Sequence, residues 1–146
     1  MFDTQAPYIA SYILLRKDNK IAFVLRENTS WMSGFYGLPS GKVEKNENFS
    51  SAATREGNEE VGVVIKADDL IYAHMVHRHS EDMDWVDVYF EVKRWQGEVI
   101  NAEPHMHSEV AWLDPKNLPE NTVPSVKAAI EAIEKGQKYS EYGWDS

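Results

Sequence analysis

The 146-residue chain contains no cysteine. Disulfides, thiol nucleophiles and Cys-ligated zinc or iron–sulfur sites are thereby excluded, and the usage is consistent with a reducing cytoplasm. Basic residues are scarce: 15 Lys and Arg stand against 24 Asp and Glu, a formal net charge of -9. Such a surface repels phosphate backbones and anionic headgroups, so neither long nucleic acid nor a membrane is an expected partner. Long hydrophobic runs are also missing. The longest lies within residues 8–15, far short of the ~20 residues that span a bilayer. Met1-Phe2-Asp3-Thr4 has no basic n-region and no apolar stretch with a cleavage site behind it, so no targeting segment is expected and a cytoplasmic location is. No repeat, low-complexity stretch or Pro/Gly/Ser-rich linker divides the chain.

What is present is the balance of a globular protein, with 42% hydrophobic and 27% charged residues. The length predicts one domain over residues 1–146. Residues 8–16 read as a strand that is apolar on both faces, and so central in a sheet. Asp18-Asn19 suits a tight turn into a returning strand at 21–25. Residues 27–34 read as a loop. A helix is predicted over 48–61, with Asn48 as N-cap and Gly62 as its stop. Further strands are predicted at 70–76, 85–92 and 109–113. In 85–92, Val86, Val88, Phe90 and Val92 alternate with Asp87, Tyr89 and Glu91, the period of a half-buried strand. A last helix over 124–135 carries the stripe Val126, Ala129, Ile130 and Ile133, and Gly136 closes it. Interspersed strands and helices predict a mixed α/β sandwich.

One segment carries chemistry. On the first helix, Glu56 lies three residues before Glu59 and four before Glu60, so the three carboxylates share a face and repel. A hard divalent cation with oxygen ligands would neutralise them. The alternative is a solvated acidic face, as most charge runs are. The spacing decides between the two. Gly41, Glu47, Arg55, Glu56, Glu59, Glu60, Gly62 and Val63 stand in register with G-x5-E-x7-R-E-U-x-E-E-x-G-U, where U is a bulky aliphatic residue. The segment resembles the Nudix box. It departs at Gly57, where the pattern has an aliphatic residue; a helical glycine costs about 1 kcal/mol and would leave a gap beneath the helix. Ser40 and Asn46 replace residues that are often glycine in the family.

The resemblance implies a Nudix α/β/α sandwich, with a mixed β-sheet and a loop–helix–loop catalytic motif. It implies Mg²⁺ or Mn²⁺ held by Glu56, Glu60, Glu59 (directly or through water) and the backbone carbonyl of Gly41. Arg55 and Glu47 would brace the loop against the helix. One of the crowded carboxylates would serve as general base, and water would attack phosphorus in line. Phe35-Tyr36-Gly37-Leu38-Pro39-Ser40-Gly41-Lys42 is similar to the LPGGK lead-in of MutT-type members. Leu25-Arg26, Glu103-Pro104, Glu109 with Trp112, Leu118-Pro119 and residues 139–144 look like a bacterial Nudix subgroup of undefined substrate.

Several residues outside the box are candidates. Glu103 and Glu109 could each supply an outer metal ligand or the base; either could equally be a surface carboxylate. Arg26, Lys42 and Arg78 are candidate phosphate contacts, since guanidinium groups suit bidentate binding of phosphate. Trp31, Phe35, Tyr36 and Trp85 could stack a base, and Trp112 reads as core. His77/His79 and His105/His107 are spaced to put two rings on one strand face, as a metal pair or a plain surface pair. The expected activity is Mg²⁺-dependent hydrolysis of the pyrophosphate linkage in a small nucleoside diphosphate derivative. Nucleoside triphosphates come first, with ADP-ribose, dinucleotides and nucleotide sugars open. The rival is a silent domain that senses a nucleotide, which the retained carboxylates oppose. Isopentenyl diphosphate isomerase chemistry uses a cysteine that is absent. A homodimer is expected from the family's habit.

Overall fold

The computed structural model describes residues 4–144. Met1-Phe2-Asp3, on which the targeting-segment expectation rests, lie outside the described residues, as do residues 145–146 of the expected domain. Strand β1 (Tyr8–Lys17) is buried on both faces along most of its length, as its double-sided apolar pattern requires. It reverses at Asp18 and Asn19, whose φ angles are 53° and 63°, into β2 (Lys20–Arg26). Two successive left-handed residues make the hairpin turn whose twist matches the flanking strands. The short strands β3 (Tyr36–Gly37) and β4 (Ser40–Lys42) pair with β2 and β1 respectively.

Helix α1 (Phe49–Val61) begins where the Asn48 side chain accepts from the Ser51 N–H at 2.8 Å. It ends at Gly62, with φ 73°, whose N–H donates to the Asn58 carbonyl at 3.1 Å. Strands β5 (Ile71–Ser80) and β6 (Met83–Val92) form a second hairpin across Glu81 and Asp82, with φ 54° and 63°. Strand β7 (His107–Leu113), helix α2 (Pro124–Glu134) and strand β8 (Tyr139–Tyr142) follow. The sheet runs β3-β2-β1-β6-β5-β8, with β4 added on β1 and β7 on β2. β1 is parallel to β6 and β5 to β8, while the other pairs are antiparallel, so the sheet is mixed.

Strand alternation distributes the core between two layers. Tyr12, Leu14, Ile21, Phe23 and Tyr89 pack with Val126, Ala129 and Ile130 of α2. Ile13, Leu15, Ala22, Val24, Val88 and Phe90 pack with Ala53 and Val61 of α1. The sheet is thus sandwiched between the two helices, as expected.

Three expectations change. β6 is buried on both faces, not one: Asp87 and Tyr89 are as covered as Val88 and Phe90. The α2 layer closes over them, Asp87 is paired with buried Arg78, and Tyr89 stacks on Tyr12 at 4.5 Å. β5 runs on to Ser80, because its polar stretch His77-Arg78-His79 is registered residue by residue against β6. Gly57 leaves no gap. A β-carbon there would lie 2.8 Å from Ile65 Cδ1 and 3.4 Å from Ile13 Cδ1, so those side chains already fill the space. β3, β4 and β8 are additions, held by pairing with longer strands rather than by their own propensity.

Candidate active site

The arginine at the centre of the box organises its acidic residues. Arg55 Nε donates to Glu47 Oε2 at 2.8 Å and one Nη to Glu47 Oε1 at 3.0 Å, a two-point pair. The other Nη meets Glu56 Oε1 at 2.6 Å and Glu59 Oε2 at 3.3 Å. A further bond to the Lys42 carbonyl, at 3.2 Å, ties the helix to the end of β4. Glu47 also accepts from the Glu44 N–H at 2.9 Å, closing the loop before the helix. The Arg55 bonds hold the Glu47 carboxyl down at about 2. These bonds tie the loop before the helix to Arg55.

Glu60 points inward from the same helix and is buried. Its Oε2 accepts from the Ser40 N–H at 3.1 Å. Burial first, and Glu56 beside it second, push the Glu60 carboxyl well above the usual carboxylate range. At Gly41 the β4 backbone comes up against α1. A β-carbon on Gly41 would lie 2.0 Å from Glu56 Oε1, so only glycine lets the β4 backbone approach that carboxylate. Glu59 is half-exposed and held by Arg55 alone among these contacts.

A loop brings two more groups to Glu60. The N–H groups of Ile100 and Ala102 donate to the carbonyls of Val61 and Glu60, at 3.0 and 3.1 Å. Asn101 then staples the loop: its Oδ1 accepts from the Glu103 N–H at 3.2 Å and its Nδ2 donates to the His107 carbonyl at 2.8 Å. Glu103, Glu60 and His107 each present a donor atom, and the three atoms lie within 4.8 Å of one another. Burial, then the charges of Glu56 and Glu59, raise the Glu103 carboxyl. Burial first, and the nearby Arg26 second, lower the His107 imidazole from its ordinary value.

A cleft of about 410 Å³ reaches the β4 backbone at Gly41, and is lined by Tyr12, Arg26, Trp31, Gly41, Lys42, Arg78 and Trp85. Arg26 Nε donates to the Trp31 carbonyl at 3.2 Å, with its guanidinium 5.2 Å from the Trp31 ring centre. Arg78 is fixed by Asp87 through bonds of 2.6 and 3.2 Å and lies 4.6 Å from the Trp85 ring centre. Lys42 Nζ sits 4.5 Å from the Tyr8 ring and 5.5 Å from the Trp85 ring. Three cations and two indoles thus share one hollow.

The structure brings together Arg26, Lys42 and Arg78 in the cleft; Glu47, Arg55, Glu56 and Glu59 form a separate bonded cluster, and the cleft residues Ser40 and Gly41 touch Glu60 and Glu56. Tyr36 and Glu109 stand apart from both. They bond each other across β2, Tyr36 Oη donating to Glu109 Oε1 at 2.6 Å. His77 and His79 do share a strand face, but both rings pack on Trp144, at 4.7 and 5.0 Å, and His79 reaches Asp84. His105 and His107 part company: His107 is buried at the start of β7 and His105 is exposed on the loop before it. Asn101 and Asp87 escaped the sequence reading. Their roles depend on a loop return and a cross-strand partner, and an isolated Asn or Asp gives no signal of either.

Residues 6–133 match the family model described as NUDIX domain. The chain is 30% identical over 103 residues to an 8-oxo-dGTP diphosphatase of Proteus vulgaris, covering 70% of this chain and 90% of that protein. It is 28% identical over 113 residues to an ADP-ribose pyrophosphatase of Methanocaldococcus jannaschii, covering 77% of this chain and 65% of that protein. In fold it is similar to a MutT NUDIX hydrolase from Burkholderia pseudomallei, with TM-score 0.79 and 24% identity, over 87% of this chain and 98% of the other.

Proposed function

The chain belongs to the Nudix family of pyrophosphohydrolases, and from that premise we propose that it uses Mg²⁺ to hydrolyse the pyrophosphate linkage of a small nucleoside diphosphate derivative. Nucleoside triphosphates are the first choice of substrate; ADP-ribose, dinucleotides and nucleotide sugars come second. The observation that carries this reading is the cleft of Arg26, Lys42 and Arg78, flanked by Trp31 and Trp85 and lined by Gly41, against whose backbone the Glu56 carboxylate packs. The relative with the higher identity, matched over 90% of its own length, is named an 8-oxo-dGTP diphosphatase, which supports the order of substrates. The proposal takes residues 1–146 as a single domain of this kind.

The donor set fits a hard cation. Glu56 and Glu60 are crowded carboxylates, and the Glu56 carboxylate lies against the Gly41 backbone, in the place a β-carbon would need. Glu56, Glu60 and the Gly41 carbonyl would hold Mg²⁺, with Glu59 joining through water. When bound, Mg²⁺ would neutralise phosphate oxygens and acidify an attacking water. The chain's own residues do the rest. Arg26 and Lys42 draw the phosphate chain into the cleft, and the indoles of Trp31 and Trp85 offer faces to a base. Arg55 does not react; it keeps Glu56 turned toward Gly41 and Glu47 turned away. Glu59, exposed and loosely held, takes the water's proton on a carboxylate oxygen.

The test is a panel of nucleoside triphosphates, ADP-ribose, dinucleotides and nucleotide sugars, with products identified by mass spectrometry in the presence of Mg²⁺. Turnover of a triphosphate to a monophosphate and pyrophosphate is the expected result. Turnover of a nucleotide sugar alone would reverse the order of substrates.

A further inference from the structure

His107 is a buried side chain in want of a partner. Its Nδ1 has no hydrogen-bond partner among the described residues. Its Nε2 lies 3.7 Å from Glu60 Oε1, beyond hydrogen-bond reach, with the ring 5% exposed. With the ring proton on Nδ1, the Nε2 lone pair faces the Glu60 carboxylate, an arrangement that a cation between the two would relieve. Nε2 faces Glu60, and Glu103, which repels Glu60, completes a group of three whose ligand atoms lie within 4.8 Å of one another. Neither the box spacing nor the cleft accounts for a buried imidazole at this place.

We propose that Glu60, Glu103 and His107 form a divalent transition-metal subsite in which His107 Nε2 is the nitrogen ligand. The inference rests on the reading that the carboxylates around Glu60 bind metal. It adds a ligand that the oxygen-only set of Gly41, Glu56, Glu59 and Glu60 lacks. Ligand atoms that share one ion at bonds of about 2.1 Å stand ~3 Å apart when adjacent and ~4 Å when opposite. The 3.7 Å between His107 and Glu60, and the 4.8 Å limit on the set, need only small side-chain rotations to reach that range.

The scaffold around the set is built rather than incidental. Asn101 bonds both ends of the turn that carries Glu103 and His107. The His107 N–H donates to the Glu103 carbonyl at 3.0 Å, and the loop is bonded to the end of α1 beside Glu60. From the other side the Glu27 N–H donates to the Met106 carbonyl at 2.9 Å. Positioned imidazole changes which metal is preferred. Mg²⁺ takes oxygen ligands and keeps its waters, whereas Mn²⁺, Co²⁺ and Zn²⁺ accept imidazole readily. The consequence is a site that discriminates for Mn²⁺ or Co²⁺ over Mg²⁺ through one ring.

The experiment uses Mn²⁺ alone, without substrate, on the full chain. Pulsed electron-spin-echo spectroscopy of the Mn²⁺ complex should show coupling to a coordinated imidazole nitrogen. Labelling histidine with nitrogen-15 should change that coupling. His107→Gln should abolish it and weaken Mn²⁺ binding by at least tenfold, with Mg²⁺ binding changed far less; His105→Gln should alter neither. Should His107→Gln fold poorly, a Zn²⁺ titration of the unsubstituted chain replaces it, following the His107 ring nitrogens by NMR. A shift confined to His107 supports the proposal. Mn²⁺ bound without nitrogen coupling, coupling that survives His107→Gln, or coupling lost with His105 overturns the subsite and leaves the carboxylate site standing. Failure of the chain to bind Mn²⁺ at all overturns both.

Discussion

Arg55 grips Glu47 at both carboxylate oxygens, 2.8 and 3.0 Å from its nitrogens, while its third nitrogen meets Glu56 at 2.6 Å. One guanidinium therefore sets the position of two carboxylates that face different ways. Glu47 locks the loop, and Glu56 faces the Gly41 backbone. The pair leaves a signature in pH. The folded Glu47 carboxyl titrates at about 2, below its ordinary 4.5. A lowered carboxylate value contributes stability that is present above the ordinary value and lost as pH falls through the folded one. Melting curves of wild type and Glu47→Gln should differ above pH 5 and converge as pH falls from 4.5 toward 2. A difference in melting temperature that stays constant over that range would contradict the assignment.

Gly41 admits no side chain without rearrangement. Gly41→Ala places its methyl 2.0 Å from Glu56 Oε1, so either the carboxylate or β4 must move. The expected cost is about 1–3 kcal/mol of stability, the usual price of overpacking. Mn²⁺ affinity should fall by roughly 10- to 100-fold, as when a ligand loses its positioning. Calorimetric Mn²⁺ titration of a variant with unchanged circular dichroism checks this; undiminished affinity would remove Gly41 from the site.

Gly57 and Ile65 should prove coupled. Ala at 57 gains about 1 kcal/mol of helix propensity and loses about as much or more against Ile65 Cδ1, 2.8 Å away. Ile65→Val removes that methyl and alone costs about 0.5–1.5 kcal/mol. The double variant should exceed the sum of the singles by about 1 kcal/mol in urea denaturation. Strict additivity would mean that the glycine is there for another reason.

How far the sequence spoke depends on the range of the forces involved. α1 was legible to the residue because its caps, Asn48 and Gly62, act within one turn. The Glu56, Glu59 and Glu60 cluster was legible because helix geometry turns spacing directly into a shared face. Asp87 was misread as a solvent-facing residue, since the group that buries it, Arg78, lies across a hairpin. β3, β4 and β8 were silent because a strand of two to four residues exists by virtue of its neighbours. The approach of Glu103 and His107 to Glu60 was equally hidden. It is created by the hydrogen bonds of Ile100, Ala102 and Asn101, and none of these residues announces a loop return. The cleft's cations were named from the sequence one by one, while their convergence on Trp31 and Trp85 came from the sheet topology.

Glu60 is proposed to belong to a metal-dependent phosphohydrolytic site. Glu60 is buried beside Glu56, so its charge opposes the metal-free fold, since a carboxyl raised by folding loses stability as pH climbs through its ordinary value. One paired measurement tests this most directly: turnover of the nucleotide panel with Mg²⁺, and thermal melting without metal at pH 7, for wild type and Glu60→Gln. The account predicts that Glu60→Gln turns over at least ~100-fold more slowly, yet melts at or above the wild-type temperature when metal is absent. Equal turnover by the two chains, or tight calorimetric nucleotide binding by wild type with no turnover, would contradict it.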